Sequence, residues 1–100
     1  MGYFIPDMAF HLQLTDEAQE TLEALEVAKR RKVDNCLARL AQNPRHPGLN
    51  SHRYERFDRV YGGSVWESYV ENQTSSAWRV WWAFGPERGQ ITVLLIGPHP

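Results

Sequence analysis

Several kinds of residue that build other classes of protein are scarce in this chain. Its single cysteine, Cys36, excludes an internal disulfide and a cysteine-based zinc cluster, and fits a reducing compartment. The apolar run Val93–Ile96 is far too short to span a membrane. Residues 1–7 contain no lysine or arginine and no long apolar stretch, so we expect no targeting segment, no membrane partner and a cytoplasmic protein.

Repeats, low-complexity tracts and linkers are also absent, and 100 residues leave no room for a second core. Hydrophobic residues make up 42% of the chain and aromatic residues 12%, which is enough apolar surface for one core. We therefore predict a single domain that covers residues 1–100.

Charge is segregated along the chain although the net charge is only −1. Residues 1–28 carry six acidic residues and no lysine or arginine, whereas residues 29–59 carry nine basic residues against three acidic ones. A local basic patch of this kind is what a phosphate-bearing partner would meet. Alternatively, the acidic and basic segments neutralise each other within the fold.

The first half of the sequence predicts a strand followed by a helix hairpin. Residues Met8–Leu14 alternate in polarity as a strand does. A first helix then carries an apolar stripe that consists of Ala18, Leu22, Leu25 and Val27. A basic cluster, Lys29–Lys32, is predicted at the turn, and a second helix buries Val33, Leu37 and Leu40 and ends before Pro44.

The second half predicts an antiparallel meander after a loop over 43–52. Its candidate strands are Arg53–Tyr61, Ser64–Glu71, Ala77–Phe84 and Gln90–Ile96, with Gly62-Gly63 as a hairpin turn between the first two. The last strand is apolar on both faces, which indicates an interior position in the sheet. The predicted fold is α+β, with one twisted sheet and the helices on one of its faces.

Several local patterns in this order resemble the RelE/ParE toxin superfamily. The patterns are the end of the second helix at Leu37, Leu40, Asn43 and Pro44, the loop Pro47-Gly48-Leu49 with His52, the paired segments Trp66–Tyr69 and Ala77–Trp82, and the closing strand and tail Val93–His99. The resemblance extends from about residue 8 onward. It implies the toxin of a type II toxin–antitoxin system, held inactive by a cognate antitoxin protein.

The resemblance leaves the target open between two branches of the superfamily. RelE-like members cleave messenger RNA on the ribosome without a metal or other cofactor, and so inhibit translation. ParE-like members poison DNA gyrase and are not enzymes. A degenerate member that only binds its partner is a third possibility, and we favour the ribosome-dependent endoribonuclease.

Metal-free RNA cleavage needs a base for the 2′-hydroxyl proton, a cation for the phosphorane and an acid for the leaving oxygen. Arg79 is the candidate cation, because a guanidinium binds phosphate oxygens in a bidentate fork; the alternative is a cross-strand salt bridge to Glu67 or Glu71, predicted on its face. The candidates for proton transfer are His99 and His52. At His99 the resemblance places a catalytic basic or imidazole group. The alternatives are a disordered tail for His99 and a capping or surface role for His52.

Four further residues are candidates for binding RNA: Arg53, Tyr54, Arg56 and Tyr69. The two tyrosines could stack on unpaired bases, and Glu67 could orient a catalytic base or bind Arg79. Trp66, Trp78 and Trp82 are assigned to the core. The four histidines lack the spacing of a metal site, so no metal is expected.

Lysine is the last residue that is scarce, and its scarcity bears on the target. Only Lys29 and Lys32 occur, both in the helical hairpin, whereas ribosome-dependent members of the superfamily are strongly basic. Proline also flanks His99 in the tail. Either catalysis needs fewer basic groups here, or the target is not the ribosome.

Overall fold

The computed structural model describes residues 9–100, so Met8 of the first predicted strand lies outside the described part. The strands are β1 (His11–Leu14), β2 (His52–Arg53), β3 (Trp66–Tyr69), β4 (Trp78–Phe84) and β5 (Gln90–Pro98). The helices are α1 (Asp16–Ala24), α2 (Val27–Gln42) and the single turn α3 (Asp58–Tyr61), with 3-10 turns at Pro47–Leu49 and Glu55–Phe57.

All five strands form one sheet in the order β1-β5-β4-β3-β2. The meander from β2 to β5 is antiparallel, and β1 pairs with β5 in parallel. The α+β prediction is therefore confirmed, and so is the interior position of the last strand. The parallel pair requires a crossover between β1 and the rest of the sheet, and α1 and α2 begin that crossover.

Each long helix begins at a side chain that caps its backbone. The Thr15 hydroxyl oxygen accepts from the Ala18 amide at 3.1 Å and donates to the Leu94 carbonyl of β5 at 2.8 Å, so one residue starts α1 and ties it to the sheet. The Glu26 carboxylate caps α2 in the same way. Within residues 9–100, no helix is both long enough and apolar enough to cross a membrane.

The predicted boundary between the helices is wrong by one turn. Only Leu25 and Glu26 separate α1 from α2, because the Glu26 cap starts the second helix at Val27. The basic cluster Lys29–Lys32 therefore lies on the first turns of α2 and not in the connecting turn. Val27 does not continue the apolar stripe of α1, and it is 74% exposed.

The predicted strand Arg53–Tyr61 is also wrong beyond its first residue. After β2 the chain forms a 3-10 turn and α3, and Gly62 ends α3 in the left-handed conformation at φ 79° instead of making a hairpin. Tyr54, Phe57 and Tyr61 pack their rings against the sheet. Their spacing of three and four residues is a helical one, so the period pointed to a helix.

Apolar side chains cover both faces of the sheet, but unequally. The larger cluster lies between the sheet and the helices, around Val33, Leu40, Val80, Trp82 and Ile91. The smaller cluster lies on the opposite face, where aromatic rings of the 54–61 segment cover Val65, Trp81 and Leu94. The rest of this second face, towards the ends of β3 and β5, carries polar side chains.

Candidate functional site

A buried carboxylate, that of Glu67, is the centre of the polar cluster. Glu67 lies in the middle of β3, where it pairs with His52 of β2 on one side and Trp81 of β4 on the other. Its neighbour Trp66 packs into the helix-side core, so alternation turns Glu67 to the opposite face. The residue is only 2% exposed, and a buried carboxylate is costly unless positive or donating groups surround it.

Two imidazoles approach the two oxygens of this carboxylate. His52 Nε2 lies 2.8 Å from Glu67 Oε1, and its Nδ1 lies 2.8 Å from the Asn50 carbonyl oxygen. His99 Nε2 lies 3.6 Å from Glu67 Oε2, and the His99 amide extends β5 by donating to the Ala77 carbonyl. Both imidazoles face an acceptor at each nitrogen, because His99 Nδ1 lies 3.0 Å from the Pro100 carbonyl oxygen. His99 nevertheless makes the looser contact with Glu67.

The Arg79 guanidinium lies beside the same carboxylate without a hydrogen bond to it. Its Nε is 3.9 Å from Glu67 Oε1, and its Nη1 donates to the backbone carbonyls of Glu71 and Trp78. The Tyr69 ring lies beneath the guanidinium, 3.7 Å from ring centroid to Cζ. The Arg79 side chain is only 10% exposed, so its position is set by its neighbours.

Three buried polar atoms around the site have no hydrogen-bond partner within residues 9–100. They are Glu67 Oε2, Arg79 Nε and Trp81 Nε1. A buried donor or acceptor without a partner costs about 1–3 kcal/mol. Such costs are tolerated where the groups serve a purpose other than stability, so these atoms make this face of the sheet the candidate functional site.

The candidate RNA-binding residues divide into two groups. Tyr54 lies at the site, with its ring edge-on to the rings of Trp81 and His99, and Tyr69 lies beneath Arg79. Arg53 is instead bound to the Asp58 carboxylate and to the Val65 carbonyl. Arg56 is exposed on the 3-10 turn and contacts none of the site residues by hydrogen bond or ion pair in the described chain.

The acidic residue predicted beside Glu67 on the site face turns the other way. β3 ends at Tyr69, and the Glu71 carboxylate binds Lys29 Nζ at 2.9 Å and Lys32 Nζ at 3.1 Å, both on α2. The hydrogen bond from Lys29, with further ones from the Trp78 amide and Lys32, lowers the pKa of Glu71 to about 2 against the opposing effect of burial. Arg79 therefore meets the backbone of Glu71 and not its side chain.

The sequence did not reveal that Glu67 is the centre of the polar cluster, or that Trp81 adds a buried Nε1 to it. Alternation puts both on the Arg79 face, but it does not show that their polar atoms are buried together. Within residues 9–100, no group of three or more histidine, cysteine or acidic side chains is arranged to hold a metal ion. Burial raises the pKa of the Cys36 thiol to about 12, which makes a catalytic thiolate unfavourable there.

Comparison with solved structures identifies the fold, whereas comparison of sequences finds no match. No protein-family model matches the chain, and neither does any curated protein sequence. Among solved structures, the archaeal RelE–RelB complex from Pyrococcus horikoshii OT3 matches with a TM-score of 0.65 at 15% identity, over 91% of this chain and 96% of that one. This chain has the RelE fold.

Two Escherichia coli structures agree with this assignment. The intact RelBE toxin–antitoxin complex matches with a TM-score of 0.58 at 14% identity, over 92% of this chain and 99% of that one. A double arginine-to-alanine mutant of toxin RelE in the free state matches with a TM-score of 0.61 at 17% identity, over 90% of this chain and 83% of that one. The predicted resemblance is thereby confirmed at the level of the RelE fold, which nine-tenths of the chain adopts.

Proposed function

We propose that the chain is the toxin of a toxin–antitoxin pair and an endoribonuclease that cleaves messenger RNA on the ribosome without a metal. The RelE fold supports the first part, since the solved structures that share it include toxin–antitoxin complexes. The observation that carries the second part is the convergence of His52, His99 and Arg79 on the Glu67 carboxylate.

The chemistry that this arrangement offers is attack of a ribose 2′-oxygen on the adjacent phosphorus, with departure of the 5′-oxygen. His99 is suited to take the proton of the 2′-hydroxyl and to deliver a proton to the departing 5′-oxygen, because its contact with Glu67 is the looser of the two imidazole contacts. Glu67 orients the imidazole and balances its charge when it is protonated. His52, engaged at both nitrogens, holds the other oxygen of Glu67 in place.

Arg79 is the group that stabilises the negative charge of the phosphorane. Its Nη1 is used by two backbone carbonyls and its face by Tyr69, so its Nη2 edge is what remains for a phosphate oxygen. A donor that is held in place before the reaction costs no reorganisation when charge develops. Tyr54, beside His99, offers a ring edge to a base next to the scissile bond.

The proposed partner is a cognate antitoxin protein, by analogy with the RelB-bound structures of the same fold. An antitoxin segment that covers the His99 side of the sheet would keep RNA from Arg79. The proposed place of action is the bacterial cytoplasm, where messages are translated.

The test is inducible expression in a bacterium that lacks the antitoxin, with growth recorded and the 5′ ends of messages mapped. The variants are Arg79→Ala and His99→Ala, and His11→Ala is the matched control because His11 is exposed on β1, at the other edge of the sheet from His52. We expect new cleavage sites within reading frames for wild type and His11→Ala, and none for the other two. Growth arrest with intact messages and a DNA-damage response would identify gyrase as the target; no arrest would identify a protein that only binds its partner.

A further inference from the structure

A second polar groove lies next to the site, between α2 and the end of β3. Its volume is about 420 Å³. Its polar lining comes from Lys32, Asn35 and Arg39 on α2 and from Tyr69 and Asn72 at the end of β3. The three α2 residues are spaced by three and four positions, so they share one face of the helix.

The groove is positively charged although it contains an acidic residue. Glu71 is already bound by Lys29, Lys32 and the Trp78 amide, so its negative charge is compensated. Arg39 is exposed, and its guanidinium has no hydrogen bond or ion pair within residues 9–100. The groove therefore presents to solvent the uncompensated guanidinium of Arg39. It also has one lysine ammonium more than the single Glu71 carboxylate neutralises.

Gly48 lies beside this guanidinium in the lining of the groove. A Cβ atom at Gly48 would lie 3.5 Å from Arg39 Nη1 and 3.1 Å from the His46 ring. Such a Cβ would make only an ordinary contact with Arg39, whereas it would crowd the His46 ring. The ion pairs of the described chain also join the 29–59 bases to Glu71, Asp34 and Asp58 and not to the acids of α1, which leaves this surface basic.

The groove and the candidate site share one residue, Tyr69. Tyr69 lines the groove, and its ring lies against the Arg79 guanidinium. β2 pairs with only Trp66 and Glu67, so it does not extend along β3 as far as Tyr69. A chain whose phosphate lies at Arg79 can therefore pass over Tyr69 into the groove.

We propose that this groove binds the phosphodiester backbone of the RNA strand next to the scissile phosphate, with Lys32 and Arg39 on the phosphate oxygens. Asn35 and Asn72 add amide donors to the same path. The inference rests on the proposed RNA cleavage and adds a binding subsite to it. An acidic protein segment would also complement the positive charge. RNA is favoured because the groove is lined by Tyr69, whose ring lies against the Arg79 guanidinium, and a guanidinium with an aromatic ring binds phosphate and base.

The experiment measures binding of a labelled single-stranded 2′-O-methyl RNA 12-mer, which cannot be cleaved because its 2′-hydroxyl groups are blocked. Fluorescence anisotropy between 50 and 200 mM KCl gives the affinity of the full chain and its salt dependence. Arg39→Ala should lower the affinity about tenfold and reduce the slope of log K against log salt by about 0.7, the loss of one phosphate contact. Lys32→Gln should lower it less, since Lys32 remains partly engaged by Glu71 in the free protein.

The matched control is Arg88→Ala, which makes the same charge change in the turn between β4 and β5, at the other end of β4 from Tyr69. It should change the affinity less than twofold, and thermal melting checks that each variant folds. Equal losses for Arg39→Ala and Arg88→Ala, or no binding by wild type, would overturn the subsite. So would a loss confined to a poly-glutamate 12-mer, which would assign the groove to a protein partner.

Cleavage mapped in cells separates this inference from the function on which it rests. If Arg39→Ala loses RNA affinity and cleaves less at the same sites, the subsite is supported. If it cleaves as wild type does while His99→Ala does not cleave, the subsite is refuted and the endoribonuclease stands. If wild type does not cleave at all, the proposed function fails, and the anisotropy result alone decides whether the groove binds RNA.

Discussion

Ser68 should be one of the residues least tolerant of truncation, because it links β3 to Ser51, the residue that precedes His52 and β2. Trp82 Nε1 donates to Ser68 Oγ at 2.8 Å, and Ser68 Oγ lies 2.7 Å from Ser51 Oγ. Ser51 donates its one proton to the Pro44 carbonyl at 2.7 Å, so the Ser68 hydroxyl must donate to Ser51. Each of these two hydroxyl groups therefore donates one hydrogen bond and accepts one.

Ser68→Ala removes the acceptor of the Trp82 indole and leaves that N–H buried without a partner. Ser68 is fully buried and Trp82 is 1% exposed, so water cannot replace the lost hydroxyl without opening the core. An unsatisfied buried donor costs about 1–3 kcal/mol, and the missing oxygen leaves little new cavity. We expect a loss of about 2 kcal/mol in the free energy of unfolding, which lowers Tm by about 10 °C in a domain of this size.

Urea unfolding of a double-mutant cycle with Trp82→Phe is the assay. In the Trp82→Phe background there is no indole N–H to leave unpaired, so Ser68→Ala should cost about 1 kcal/mol less than it does in wild type. Ser51→Ala is the comparison: it leaves Trp82 paired but removes the acceptor of the Ser68 proton. Because Ser51 is only half-buried, water can replace its hydroxyl, so this variant should cost less than Ser68→Ala. Equal costs of Ser68→Ala in the two backgrounds, or a cost below about 0.5 kcal/mol in wild type, would refute the reasoning.

Three further predictions concern other parts of the fold. Glu71→Gln should destabilise the protein by about 1–2 kcal/mol at pH 7 and by little near pH 2. The folded protein lowers the pKa of Glu71 from about 4.5 to about 2, so this carboxylate stabilises the fold above pH 4.5 and loses its effect as the pH falls towards 2. Urea unfolding at both pH values measures this, and an equal loss at both would contradict it. Cys36 should react with a thiol reagent at pH 8 only after denaturation, since burial raises its pKa to about 12; rapid labelling of the folded protein would contradict the assigned burial. Thr15→Ala should cost about 1–2 kcal/mol, whereas Thr15→Ser, which keeps the hydroxyl that caps α1 and binds Leu94, should cost little; thermal melts that show equal losses would argue against the hydroxyl.

The sequence by itself determined the order of most elements and the composition of the helix-side core. Hydrophobic period is a local property, so the stripe of Val33, Leu37 and Leu40 and the two-sided apolar strand at residues 90–96 could be read without a structure. Alternation also placed Arg79 on the face of Trp81, opposite Trp78 and Val80. The segment 54–61 was misread because two glycines suggested a hairpin, although its aromatic residues follow a helical period.

Only the tertiary structure decided which polar groups meet. Alternation assigns a side chain to a face but says nothing of register, and it is register that puts His52 opposite Glu67 and Glu67 opposite Trp81. The parallel pairing of β1 with β5 and the approach of His99 to Glu67 depend on contacts between residues far apart in the chain. The groove beside Tyr69 likewise exists because α2 packs near the end of β3, and no local pattern in either segment records that distance.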